Sequence, residues 1–419
     1  RTKISPPALP DFLLRRDKLD DLFARIEGAS LILVQAPAGY GKSTYLAERL
    51  EHTGMPSSWL HLDAMDNDPG HFAWYLAQTL HQQGGRCVQT LAGLVEGGFG
   101  DLQACMGCLL AELPLEGQRH FLVLENYQAI HNETIHQAVR FLLRHKPRYL
   151  TLVILSRNLP PVGIAQLRMQ GRLLEITARD LALGNPEAVA YLEQRLPFEL
   201  PLEAMERSNR RVEGWFAALQ LLASLAETAD EFNQQVEALS EGNQFLFDYF
   251  EELLGTQISE DQRQFLLRTA TLERFNAFLV TRLAAQAEGQ SVLGSLLNMG
   301  LFIVPLDANG LWYRYHGLFA VYLRHLQRCL MPRQIQTLHQ EACDALIDLG
   351  LYEEAARHAV AIHDQPRLKK ILTDQGRQFF TQGDFPLLQR CLDALERQTI
   401  NEDPLLTLLT AWVAQGQYR

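Results

Sequence analysis

Cysteine is scarce, with six in 419 residues, too few and too unevenly spaced to build a disulfide framework. Cys105 and Cys108 form a lone Cys-x-x-Cys with no second pair at metal-ligand spacing, so they read as two reduced thiols on one helix face. No apolar run reaches the length of a membrane-spanning helix and no signal-peptide pattern stands at the start. A cytoplasmic chain with no membrane partner is therefore expected. Positive charge is also in short supply, 38 Lys and Arg against 49 Asp and Glu, for a net charge of −11. Neutralising nucleic-acid phosphates needs a basic face, so the balance argues against DNA binding by this chain itself. What remains is ordinary for a globular protein, 47% apolar and 21% charged, with a length that calls for two to four domains. The chain opens at Arg1 and stops at Arg419 inside an unfinished helical pattern, as expected of a piece of a longer protein.

The most informative stretch is Ala36-Pro37-Ala38-Gly39-Tyr40-Gly41-Lys42-Ser43-Thr44, between the apolar run Leu31–Val34 and the helical Tyr45–Leu50. Strand, glycine-containing turn ending in Gly-Lys-Ser, then helix is the pattern of a phosphate-binding loop. Gly39 and Gly41 let successive N–H groups converge on an anion, and the helix start adds unpaired N–H groups and the positive end of its dipole. Lys42 supplies a mobile charge for the outer phosphates, and the Ser43 hydroxyl is placed to hold Mg2+. Ala38, Gly39, Tyr40, Gly41, Lys42, Ser43 and Thr44 are the candidate nucleotide-binding residues, with ATP or ADP and Mg2+ as the expected cofactors.

Further strands are expected at 58–63, 121–124, 150–155 and 173–176, separated by helical stretches, which predicts an α/β domain with a parallel sheet over residues 1–180. Ser43, Glu125 and Arg157 fall at or just past the carboxyl ends of strands, where such sheets bind ligands. The glycine-rich stretch 84–100 reads as a surface loop. Beyond it, helices are expected at 186–196, 212–226, 245–254 and 261–271. The apolar runs 301–305 and 311–315, joined by Asp307-Ala308-Asn309-Gly310, suggest the wing of a winged helix. From Pro332 only helices are expected, with breaks at Gly350 and Gly383, as in the start of an α-solenoid of TPR-like pairs. The expected domains are thus 1–180, 181–242 (helical), 243–330 (winged helix) and 331–419 (helical repeat).

These features together resemble a known family. Thr2 to Pro7, Arg16, Ala36 to Thr44, Val212-Glu213-Gly214-Trp215, Arg274-Phe275-Asn276, Trp312 to His316 and Leu351 to Ala355 look like the amino-terminal half of MalT-type regulators. These are large ATP-dependent transcriptional activators of the LuxR family, within the signal-transducing ATPases with numerous domains. The resemblance implies an ADP-bound closed resting form, and an open, self-associating form favoured by ATP and a small-molecule inducer bound to the helical repeats. DNA would be bound by a helix-turn-helix beyond Arg419. It also implies nucleotide contacts for Arg157, which can report a γ-phosphate, for His316 on the β-phosphate, and for Arg16. Two positions depart from the pattern. Glu125-Asn126 stands where the family has two aspartates; Glu125 keeps a carboxylate for the metal, whereas Asn126 cannot take a proton from water, so hydrolysis is expected to be slow at most. Phe216 replaces a frequent proline. Two other readings stay open, a P-loop kinase or ATPase acting by turnover and a helical-repeat scaffold with a structural nucleotide.

Overall fold

The computed structural model describes residues 2–10, 13–26, 28–81, 102–113, 118–239, 242–255, 258–283, 289–307, 309–382 and 384–416. The expected loop at 84–100 and the break at Gly383 lie outside these residues. The chain divides into two compact units, Arg1–Leu239 with Leu297–Leu301, and Ser240–Leu296 with Phe302–Arg419.

The first unit is built on a parallel sheet of β1 (Leu31–Gln35), β2 (Ser57–His61), β3 (His120–Glu125), β4 (Leu150–Ser156) and β5 (Leu173–Thr177), in the order β2-β3-β4-β1-β5. All five expected strands are present. Every residue of β3 and β4 is buried, as the apolar runs Phe121–Leu124 and Leu152–Leu155 require of strands covered on both faces. Each fully buried Leu, Val or Phe contributes about 1.5–3 kcal/mol, which makes these central strands the anchor of the domain. One covering helix, Glu133–His145, is capped by the Asn132 side chain and buries Ile135, Val139, Leu142 and Leu143.

Several short segments are shaped by identifiable contacts. The amino-terminal segment carries a 3₁₀ turn at Thr2–Ile4. The polar turn after β2 is a 3₁₀ helix, Ala64–Asn67, closed by a capping box between Asp63 and Asp66. The helix expected over 212–226 begins only at Phe216, because Glu213 and Gly214 take positive φ values of 52° and 72°. A Cβ on Gly214 would lie 2.7 Å from the Leu183 carbonyl oxygen, so the turn requires glycine there. The helix Leu102–Ala111 carries both thiols one turn apart on the same side, with Cys105 buried, Cys108 exposed and neither in a disulfide.

The second unit holds Gln244–Leu254, Glu260–Thr269 and Ala277–Leu283, then the antiparallel hairpin β6 (Ile303–Pro305) and β7 (Tyr313–Tyr315), and the helix Gly317–Leu330. Phe250 is the hub of its core, with ring centroids 5.3 Å from those of Phe302, Phe319 and Tyr322. This helix-and-wing arrangement is the expected winged helix. Helices Ile335–Asp348, Tyr352–Ala361, Gln365–Gln382 and Phe385–Asp393 follow, each packed on the next, and Pro404–Gly416 packs on the last two. No helix among the described residues is long and apolar enough to cross a membrane.

Candidate nucleotide-binding site

Strand order builds the site. Placing β4 between β1 and β3, with β2 beyond β3, sets the carboxyl ends of four strands side by side. The loop after β1 therefore faces Arg157 after β4, Glu125 on β3 and His61 on β2. In the loop, Gly39 and Gly41 have φ of 79° and 73°, and Gly41 caps the helix Lys42–His52. Ala38, Gly39 and Tyr40 thus lie on the loop, while Lys42, Ser43 and Thr44 form the first turn of the helix, whose N–H groups are open to an anion.

Lys42 is folded back on its loop, with Nζ donating to the carbonyls of Ala36 at 2.7 Å and Pro37 at 2.8 Å. Burial, and then the nearby Arg157 charge, bring its pKa down to about 8, against the opposing pull of Glu125. Glu125 is 7% exposed. The Ser43 hydroxyl donates to its Oε1, and Nδ1 of His61 lies 2.9 Å from its Oε2. Burial pushes the Glu125 carboxyl up, but the close contact with His61 and the hydrogen bond from Ser43, with the charges of His61 and Lys42, outweigh it and hold the group below its ordinary range. The other ring nitrogen of His61, Nε2, is 2.8 Å from the carbonyl oxygen of Ser5. With acceptors on both sides, the ring suits its two-N–H form, and the close contact with Glu125 raises its pKa against the effect of burial.

Asn126 follows β3 in a left-handed conformation, φ 59° and ψ 38°, with an exposed side chain. The backbone N–H of Arg157 is held by the Gln128 side chain at 3.1 Å. Beside the loop opens a cavity of about 590 Å³ lined by Leu9, Pro10, Tyr40, Thr44, Tyr191 and Phe216 among others. Its apolar and aromatic walls suit a planar heterocycle. Arg16 also lines it, but its guanidinium is committed to the protein: Nε donates to Glu187 at 2.8 Å and an Nη to the Leu181 carbonyl at 2.8 Å. His316 belongs to the second unit. It is 1% exposed at the start of helix Gly317–Leu330, where its ring meets Phe302 edge-on and its backbone N–H donates to the Phe302 carbonyl at 2.9 Å.

The loop, the desolvated lysine and the serine–carboxylate pair fit a phosphate chain with a divalent cation. Lys42 is a partly buried cation with a second positive charge nearby, and the Ser43–Glu125 pair offers oxygen donors of the kind Mg2+ accepts. Sequence reading passed over two contributors. His61 lies in an apolar strand, and only the β2–β3 register, which pairs it with Glu125, gives it a role. Trp215 donates its indole N–H to the Ala38 carbonyl at 3.0 Å, bracing the loop from far along the chain.

Residues 250–335 match the family model of the MalT winged helix domain. The whole chain is 37% identical over 423 residues to the HTH-type transcriptional regulator MalT of Serratia proteamaculans, covering 46% of that protein. Along its whole length the chain is similar to MalT. Its counterpart in Vibrio cholerae is 33% identical, again along the full chain and over 47% of the relative. The chain therefore spans about half the length of the curated relatives it matches. Among solved structures, a Walker-type ATPase of Pyrococcus abyssi superposes with a TM-score of 0.50 at 14% identity, over 76% of this chain and 98% of that one, a likeness of fold.

Proposed function

We propose that this chain is the nucleotide-responsive part of a MalT-type transcriptional regulator, binding ATP or ADP with Mg2+ and changing state with the nucleotide it holds. The observation that carries the reading is the convergence of Lys42, Ser43 and Glu125 beside an apolar cavity of about 590 Å³. Lys42 and the loop amides would take the phosphates, Ser43 and Glu125 the metal, and the cavity the base. Arg157, whose charge already bears on Lys42, would sense the outermost phosphate. A ligand moves a conformational equilibrium only through unequal affinity for the two states, so ADP is assigned to a closed resting form and ATP to an open, self-associating one. A small-molecule inducer is assigned to the helices after residue 331, and DNA contact to a part of the longer protein outside these residues.

Calorimetric titration of the chain with ADP–Mg2+ and ATP–Mg2+ tests the site. Lys42→Ala is expected to abolish tight binding, since the loop amides alone do not offset the lost charge. Unchanged ADP affinity in the variant would overturn the assignment. Nucleotide that never exchanges would instead favour a structural cofactor, and rapid turnover without dependence on a small molecule would favour an ordinary ATPase.

A further inference from the structure

The two oxygens of Glu125 face different partners: Oε1 accepts the hydrogen bond of Ser43 from the phosphate loop, and the buried Oε2 lies 2.9 Å from His61 Nδ1 at ion-pair distance, without the alignment of a hydrogen bond. Side chains of neighbouring parallel strands in register point to the same face of the sheet, so the pairing of His61 with Glu125 keeps imidazole and carboxylate side by side. His61 then reaches the Ser5 carbonyl with its second nitrogen. Ser5 is part of a segment fastened to the same end of β2 by a second contact: Lys3 Nζ lies 2.7 Å from Asp63 and 2.8 Å from Asp66. Asp66 is fully buried and also binds His71 at 2.8 Å, so this fastening is built into the domain. The same segment runs on to line the cavity with Leu9, Pro10, Leu13 and Leu14, and it ends at the tethered Arg16.

We propose that His61 is a positioning residue that fixes the Glu125 carboxylate for the divalent cation and, through Ser5, couples the metal end of the site to the amino-terminal segment lining the base cavity. A glutamate side chain has three rotatable bonds before its carboxylate, and the Ser43 hydrogen bond on one oxygen with the His61 ion-pair contact on the other narrows it toward one orientation. Because one ring holds both Glu125 and Ser5, a cation engaged by Glu125 also steadies residues 2–10, and a seated segment favours the cation. Linkage of this kind is reciprocal. This inference rests on the nucleotide–Mg2+ reading above.

The two nitrogens are separable by substitution, since an Asn amide overlays the Nδ1 position and a Gln amide the Nε2 position. The test is ADP affinity of the intact chain by calorimetry, with Mg2+ and with EDTA, together with hydrogen exchange of residues 2–10 in both conditions. His61→Ala is expected to weaken ADP–Mg2+ binding by about tenfold while leaving ADP binding in EDTA within about twofold, and to abolish the Mg2+-dependent protection of residues 2–10. His61→Asn should retain the Mg2+ effect on affinity but lose the protection, and His61→Gln should lose the Mg2+ effect on affinity. Equal losses with and without Mg2+, or a wild-type Mg2+ effect and protection in His61→Ala, would overturn the inference while leaving the nucleotide site intact. Failure of the wild-type chain to bind nucleotide would overturn both.

Discussion

Trp215 and Gly39 meet at the rear of the phosphate loop. The indole N–H of Trp215 donates to the neighbouring Ala38 carbonyl at 3.0 Å, the Ala217 N–H donates to the Gly39 carbonyl at 3.0 Å, and a Cβ on Gly39 would lie 2.5 Å from that of Ala217. The loop is therefore shaped by a turn 177 residues away as well as by its own glycines. Gly39→Ala faces both the missing space and a φ of 79°, and is expected to lose ADP binding by at least about 100-fold, since a strained backbone and displaced amides both act on the phosphates. Trp215→Phe keeps an aromatic body but leaves the Ala38 carbonyl short of a donor, at a cost of about 1–3 kcal/mol in stability. Calorimetry and thermal melts check both. Wild-type affinity in Gly39→Ala would disprove the role of this close approach.

Asn126 bears on the rate of hydrolysis. Its left-handed backbone suits Asp as well as Asn, so Asn126→Asp carries no conformational penalty and restores a carboxylate at the end of β3. Turnover is expected to rise by about two to four powers of ten, with ADP affinity nearly unchanged because the residue acts on water more than on the diphosphate. Single-turnover rates with pre-bound ATP decide the matter. Equal rates would remove Asn126 from the reaction.

The winged helix of this chain is expected to serve as an internal clamp and not as a DNA reader, given the net charge of −11. Gel shifts at moderate salt should show no sequence-specific complex with duplex DNA. A specific complex formed by these residues alone would contradict this.

Acid should weaken the second unit. Burial, and then the neighbouring His339 at 3.0 Å, bring the pKa of His358 down from 6.5 to about 3. The unfolded chain therefore takes up this proton at a higher pH than the folded one. The stability His358 contributes by staying neutral is complete above about pH 6.5 and is lost as pH falls toward 3, at up to about 1.4 kcal/mol per pH unit. Urea unfolding between pH 7 and pH 4.5, followed by a probe in the second unit, should show this slope. His358→Gln should flatten it, and an unchanged slope would show that other groups carry the acid sensitivity.

Much of this protein was legible from residue order because the relevant signals are local. Gly39, Gly41, Lys42 and Ser43 specify a loop by backbone freedom and helix-start chemistry within nine residues, and the unbroken apolar runs of β3 and β4 announce strands buried on both faces. The wing showed itself as two short apolar runs about a turn. The helix start at Phe216 was less legible, since the apolar rhythm of 212–226 runs straight through Glu213 and Gly214, and only packing against Leu183 makes the left-handed turn necessary.

Strand order was out of reach, because a buried parallel strand has the same apolar signature wherever it stands in the sheet. That order alone puts β2 beside β3, pairs His61 with Glu125 and seats β4, which leads to Arg157, between β1 and β3. The same holds for Trp215 against Ala38 and for Arg16 against Glu187, contacts between residues 177 and 171 positions apart. Periodicity and turn chemistry record what a residue does with its near neighbours. Which distant side chains share a hydrogen bond depends on how whole elements pack, and the energy that settles it is spread over the entire core.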